Sequence, residues 1–160
     1  MKMQSSMGLL FLGLSILMTF VGFHLLSPGE TLDAKLYYTP LEAQILLASL
    51  SERQIHLYIS TEFLDLFFIT LYTAMFWLLF KKSQRSNSFP NWLAFAPGFF
   101  DTIETVGILA SLLFRDISLA QNLGVVTLLK WVMVFMVFAG LLWSFLISAR
   151  GASPKEGEEK

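Results

Sequence analysis

An apolar run over residues 92–114 carries Asp101 and Glu104 near its middle, and it restricts the fold more than any other stretch of the chain. At about 1.5 Å of rise per residue, roughly 20 residues cross a bilayer core of about 30 Å. The run is long enough to span, and it would carry both carboxylates into hydrocarbon. A centrally placed ionisable side chain costs about 2.5–3.5 kcal/mol on insertion scales, so such groups turn towards protein or trapped water. Spaced by three, Asp101 and Glu104 project from one helical face.

The rest of the composition agrees with a membrane chain. Of 160 residues, 55% are hydrophobic and only 14% charged, with a mean hydropathy of +0.63. That excludes a disordered chain and argues against a soluble domain. A net charge of −1 without a basic run gives no reason to expect a nucleic-acid partner. Cysteine is absent, which removes disulfides, thiolate chemistry, cysteine-based zinc sites and iron–sulfur clusters.

Four apolar runs predict an all-α polytopic membrane protein: four transmembrane helices over about 8–26, 57–80, 92–114 and 122–148, forming one up-down bundle within residues 1–150. The first run exceeds the 7–15 residues of a signal-peptide core and lacks a small-residue cleavage site, so it reads as a retained helix. Residues 27–56 form a polar external loop. Within it, Thr39-Pro40-Leu41-Glu42 has the spacing of a capping box with proline at the first helical position. A short amphipathic helix over about 40–50 should follow, with Leu41, Ile45, Leu47, Ala48 and Leu50 on its apolar face. Being too short to span, it would lie on the membrane surface or roof the bundle. Ser51 and Gln54 have the spacing of a second capping box. In the third span, Pro97-Gly98 is expected to loosen or kink the helix before Asp101. Residues 151–160 read as a disordered tail. Lys2, Lys81, Lys82, Arg85, Arg150, Lys155 and Lys160 fall on one side of such a bundle, and Lys35, Arg53 and Arg115 on the other. The positive-inside rule then puts both termini in the cytoplasm of a cell-membrane protein.

The second run carries Tyr58, Glu62, Asp65, Ile69 and Tyr72 on one face, at spacings of three or four. Its acids, those of the third run and Lys130, the lone charge of the fourth, fall at similar depth in the outer half of the membrane. The inner half has no charge. A polar centre opening outwards beneath the loop is expected, with Glu62, Asp65, Asp101 and Glu104 as candidate catalytic carboxylates. Lys130, Tyr58, Tyr72 and Arg53 are candidate binding residues. Four acids against one lysine cannot all stay ionised cheaply, so at least one of Asp65, Asp101 and Glu104 should hold a proton near neutrality, while Lys130 pairs with another. His24 and His56 lack metal-ligand spacing, and no metal or cofactor is expected.

Leu36-Tyr37-Tyr38-Thr39-Pro40-Leu41-Glu42-Ala43, the spacing Arg53…Tyr58…Asp65 and Asp101-x-x-Glu104 resemble small uncharacterised bacterial four-helix membrane proteins. In that group asparagine often follows the second acid, where this chain has Thr105. The resemblance covers most of the chain and implies no particular activity. A looser likeness, of helix count and buried acids alone, to the emopamil-binding and sigma-2 receptor type implies inward-facing acids around a sterol-like or amine ligand.

Three functions fit these residues. The first is a site that binds or acts on a lipid-like or cationic amphiphile, using the carboxylates as acids or bases. The second is a proton-coupled carrier subunit, for which a homodimer is expected. The third is a membrane assembly protein whose buried charges fix helix packing.

Overall fold

The computed structural model describes residues 13–15, 18–19, 21–22, 29–83 and 90–151. Among these residues every regular element is helical. Helix α1 runs over Pro40–Ser49, α2 over Glu52–Ser83 and a 3-10 turn over Asn91–Ala94; α3 follows over Ala96–Phe114, a single-turn α4 over Ser118–Gln121 and α5 over Gly124–Gly151. Three stretches, Glu52–Lys81, Trp92–Phe114 and Gly124–Ser144, are long and apolar enough to cross a membrane. Most of the first expected span lies outside the described residues, as do the tail and several of the basic residues used to orient the chain. The parts of that span that are described are helical, and Thr19 is buried.

Local chemistry explains where the helices begin. At α1, the Thr39 backbone N–H donates to Glu42 at 2.7 Å and the Glu42 N–H donates to the Thr39 hydroxyl at 3.2 Å. The Thr39 backbone and side-chain hydrogen bonds hold the Glu42 carboxyl below its ordinary value. Ser51 and Gln54 repeat the arrangement, with the Ser51 N–H 3.0 Å from the Gln54 side-chain oxygen. For this reason α2 starts earlier than its apolar run. Pro97 corrects an expectation. It occupies the first turn of α3, where its missing N–H has no partner to lose, so the chain turns at Phe95, between the 3-10 turn and α3, and α3 is not broken ahead of Asp101.

The bundle has its polar residues inside and its large apolar residues outside. On α3 the buried stripe is Pro97, Gly98, Asp101, Glu104, Thr105, Ile108 and Leu112, whereas Phe99, Ile103, Val106 and Phe114 are exposed. A continuous apolar exterior of this kind is what lipid covers. Helix α3 is central, packing on both α2 and α5. Two apolar cores lie at different levels. One joins Leu32, Tyr38, Ala43, Leu47, Tyr58, Ile108, Leu112 and Ala120; the other joins Ile69, Tyr72, Phe76, Phe80, Leu93, Ala94 and Val137. The charged residues sit between them.

The segment 29–39 crosses the first of these ends as a strap. Leu32 and Tyr38 are fully buried in it, and the Trp131 indole N–H donates to the Lys35 carbonyl at 2.9 Å. Gly124 lies against the Tyr38 backbone, so that a Cβ there would fall on the Tyr38 carbonyl oxygen. Because the obstacle is backbone, it cannot swing aside. Gly124→Ala should therefore destabilise the protein by about 1–3 kcal/mol, the usual cost of overpacking. Gly13→Ala, at a helical position with nothing within 4 Å, should leave stability unchanged or raise it by up to about 1 kcal/mol; unfolding of both variants in mixed micelles checks the contrast.

Candidate functional site

Helices α2, α3 and α5 each turn one polar stripe inwards, and the stripes meet between the two apolar cores. Lys130 of α5 is at the centre. Its Nζ is 3.0 Å from Asp101 Oδ1, 2.6 Å from Glu104 Oε2 and 3.2 Å from the Asp33 backbone carbonyl of the strap. An ammonium has three N–H donors, and three acceptors surround this one. The remaining carboxylate oxygens are also taken. The Tyr72 hydroxyl donates to Asp101 Oδ2 at 2.7 Å, and the Thr127 hydroxyl donates to Glu104 Oε1. Residues from three helices and the strap thus close one network, almost wholly withdrawn from the surface.

The two acids of α2 are treated differently. Asp65 accepts a 2.6 Å hydrogen bond from the Thr105 hydroxyl through Oδ2. Glu62 is 0% exposed, and neither of its carboxyl oxygens has a hydrogen-bond partner. The charged groups that act on it are Asp33, Asp65, Glu104 and Lys130, so three of the four repel its anion. Within the described residues, four carboxyls face one ammonium that is already engaged by two of them.

All four candidate carboxylates therefore share one buried layer with Lys130 and Tyr72. Tyr58 lies on the strap side of that layer: its hydroxyl accepts the Leu32 N–H at 2.8 Å, and Asp33 Oδ1 lies 3.5 Å away. Arg53 is not brought to the site. It is exposed on the first turn of α2, nine residues and about 13 Å along the helix from Glu62. Four further participants were not among the candidates: the Asp33 carbonyl, Thr105, Thr127 and the buried Tyr38. Thr105 and Thr127 sit on the inward stripes at helical spacing, which marks them in retrospect. For the Asp33 carbonyl nothing in the residue pattern does, because a backbone acceptor has no residue type. Burial pushes the Tyr38 hydroxyl well above its ordinary value, so it stays a neutral phenol. No group of three or more His, Asp or Glu side chains among the described residues is placed to hold a metal ion.

Comparisons of the chain with protein-family models, curated proteins and solved structures give no match. Its function must be read from this site.

Removing one partner of a buried charge pair leaves the other uncompensated, at a cost of about 3–5 kcal/mol. Lys130→Met should lose that much stability, because it strips Asp101 and Glu104 together and unties the strap. Adding Asp101→Asn and Glu104→Gln to Lys130→Met should recover most of the loss. Comparing the single and triple variants by reversible unfolding tests the network as a unit.

Proposed function

We propose that this chain is a four-span cell-membrane protein, with both termini cytoplasmic, whose acidic centre in the outer half of the bilayer binds or acts on a lipid-like or cationic amphiphile. The resemblance to small bacterial four-helix membrane proteins fits this reading, and the carboxylates supply its chemistry.

Glu62 carries the proposal. Ionised, it is a buried anion without a donor; protonated, it is a buried O–H without an acceptor. A buried group left unsatisfied costs about 1–3 kcal/mol in either form, and more when charged. Helix packing alone gives no reason to keep that cost. A ligand head group with an N–H or O–H donor would relieve it, and the apolar cores on both sides of the layer suit the ligand's hydrocarbon part. Glu62 and the less constrained oxygen of Asp65 are then the groups free to accept or give up a proton in a water-poor setting. Asp101, Glu104 and Lys130, with all partners filled, fit the role of a packing device that shapes the layer. The carrier reading gains nothing from the far side, where no charged residue is buried among the described residues.

Dodecylamine and 1-dodecanol, added to detergent-purified protein at pH 7, separate these roles. The amine should raise Tm by about 3 °C or more, the shift that roughly 1 kcal/mol produces at this chain length, and the alcohol should raise it less. Glu62→Gln, which keeps the side chain's shape and removes its charge, should abolish the amine's effect and leave the unliganded protein folded. An amine shift absent from the wild type, or retained in full by Glu62→Gln, overturns the proposal.

A further inference from the structure

Helix α1 has two apolar faces, and only one is used inside the molecule. Ala43 and Leu47 are buried in the core that includes Tyr58 of α2 and Ile108 and Leu112 of α3. The opposite side presents Leu41 and Ile45, one turn apart and 63% and 61% exposed. Ala48 extends that stripe. Glu42, Gln44 and Ser49 lie on the flanks between the two faces, also exposed. The sequence pattern puts Leu41, Ile45, Leu47, Ala48 and Leu50 on a single apolar face; the structure divides them, because Leu47 and Leu50 pack on the core and Leu41, Ile45 and Ala48 turn out. A helix that is apolar on both sides is surrounded by apolar matter on both sides.

We infer that the outward face of α1 is inserted in the acyl region of the leaflet at the strap end, so that α1 is a roof held between the bundle and the lipid. Depth supports this. Ile108 and Leu112 lie within six residues, or about 9 Å, of the end of α3 at Phe114. A helix that joins their core lies at the level where the spans end. Continuity supports it as well. Helix α1 packs on α4, and at the same end Phe114 and Leu119 of the α3–α4 region are exposed to 76% and 43%. Leu36 and Tyr37, just before α1, extend the exposed apolar surface, and a tyrosine there matches the interfacial belt of membrane proteins.

The charges define the partner further. Helix α1 has no lysine or arginine, and the carboxylate of Glu42 is turned back onto Thr39. Apolar burial must therefore hold the helix, with no contribution from anionic head groups. Neutral and anionic bilayers should seat it equally, unlike a basic surface helix.

The natural absence of cysteine makes the test direct. Leu41→Cys, Ile45→Cys and Gln44→Cys, all at exposed positions, are spin-labelled in the full-length protein and reconstituted in phosphatidylcholine vesicles. Power saturation then compares dissolved oxygen with a water-soluble nickel chelate. Labels at 41 and 45 should favour oxygen several-fold over a label at 44, at an immersion of about 5–10 Å. Replacing a third of the lipid with phosphatidylglycerol should not change the ratio. Strong relaxation by the nickel chelate at 41 and 45 would place the face in water and overturn the inference. So would exclusion of both relaxants with dipolar broadening between labels, which would make the face a contact between two copies of the chain.

Discussion

The structure depends on one ammonium group. Lys130 is the only cation in the buried layer of the described residues, and its three donors reach α3 twice and the strap once. Placing it there costs desolvation of the lysine and of two carboxylates, which only close geometry and filled partners offset. That requirement fixes several features together. Tyr72 and Thr127 must present hydroxyls to the outer sides of the two acids, α2 and α5 must both adjoin α3, and the strap must pass near enough for the Asp33 carbonyl to complete the set. A shift of one turn in any of the three helices would leave a bare charge in hydrocarbon.

Glu62 stands apart in this arrangement. Every other acid of the layer has a donor within 3 Å, so Glu62 is the one carboxyl of the layer without a partner. The contrast separates the two roles that buried charge can have in a membrane. Saturated charge can hold helices in register, whereas an unpaired intramembrane carboxyl is where a functional hypothesis attaches. Both occur here within one layer, on adjoining helices.

The sequence makes the helices and the polar layer legible, and the structure shows why. Inward faces repeat every three or four residues, so Glu62, Asp65 and Tyr72 on α2 and Asp101, Glu104 and Ile108 on α3 can be assigned to the interior without knowing how the helices meet. The two capping boxes are local and can be read residue by residue. Legibility ends where contacts join distant parts of the chain. Nothing in a residue pattern tells which acids Lys130 selects, that Thr105 would serve Asp65, or that Tyr58 would hold the strap by the Leu32 N–H. The place of Pro97 is hidden for a related reason: the run 92–114 gives no sign that its first turn is a separate 3-10 helix, which moves the proline from a helix interior to a helix start.

The two ends of the bundle would not open with equal ease. On the far side the layer is closed by seven buried residues, with Phe68, Tyr72, Phe76 and Phe138 edge to face at 5.3–5.7 Å between ring centres. Lipid is as apolar as these side chains, so close packing holds them, and parting them means separating the long helices themselves. The strap is fastened by hydrogen bonds at Tyr58, Lys130 and Trp131, each worth about 0.5–1.5 kcal/mol net, somewhat more for the charged lysine, and by the burial of Leu32 and Tyr38. Lifting it breaks the contacts of one segment, whereas opening the far side parts helices along their length. Lys130 belongs to both the strap and the acids, so a change in the charge around Asp101 and Glu104 weakens the same ammonium that anchors the strap. One side chain thus ties the strap to the acidic layer.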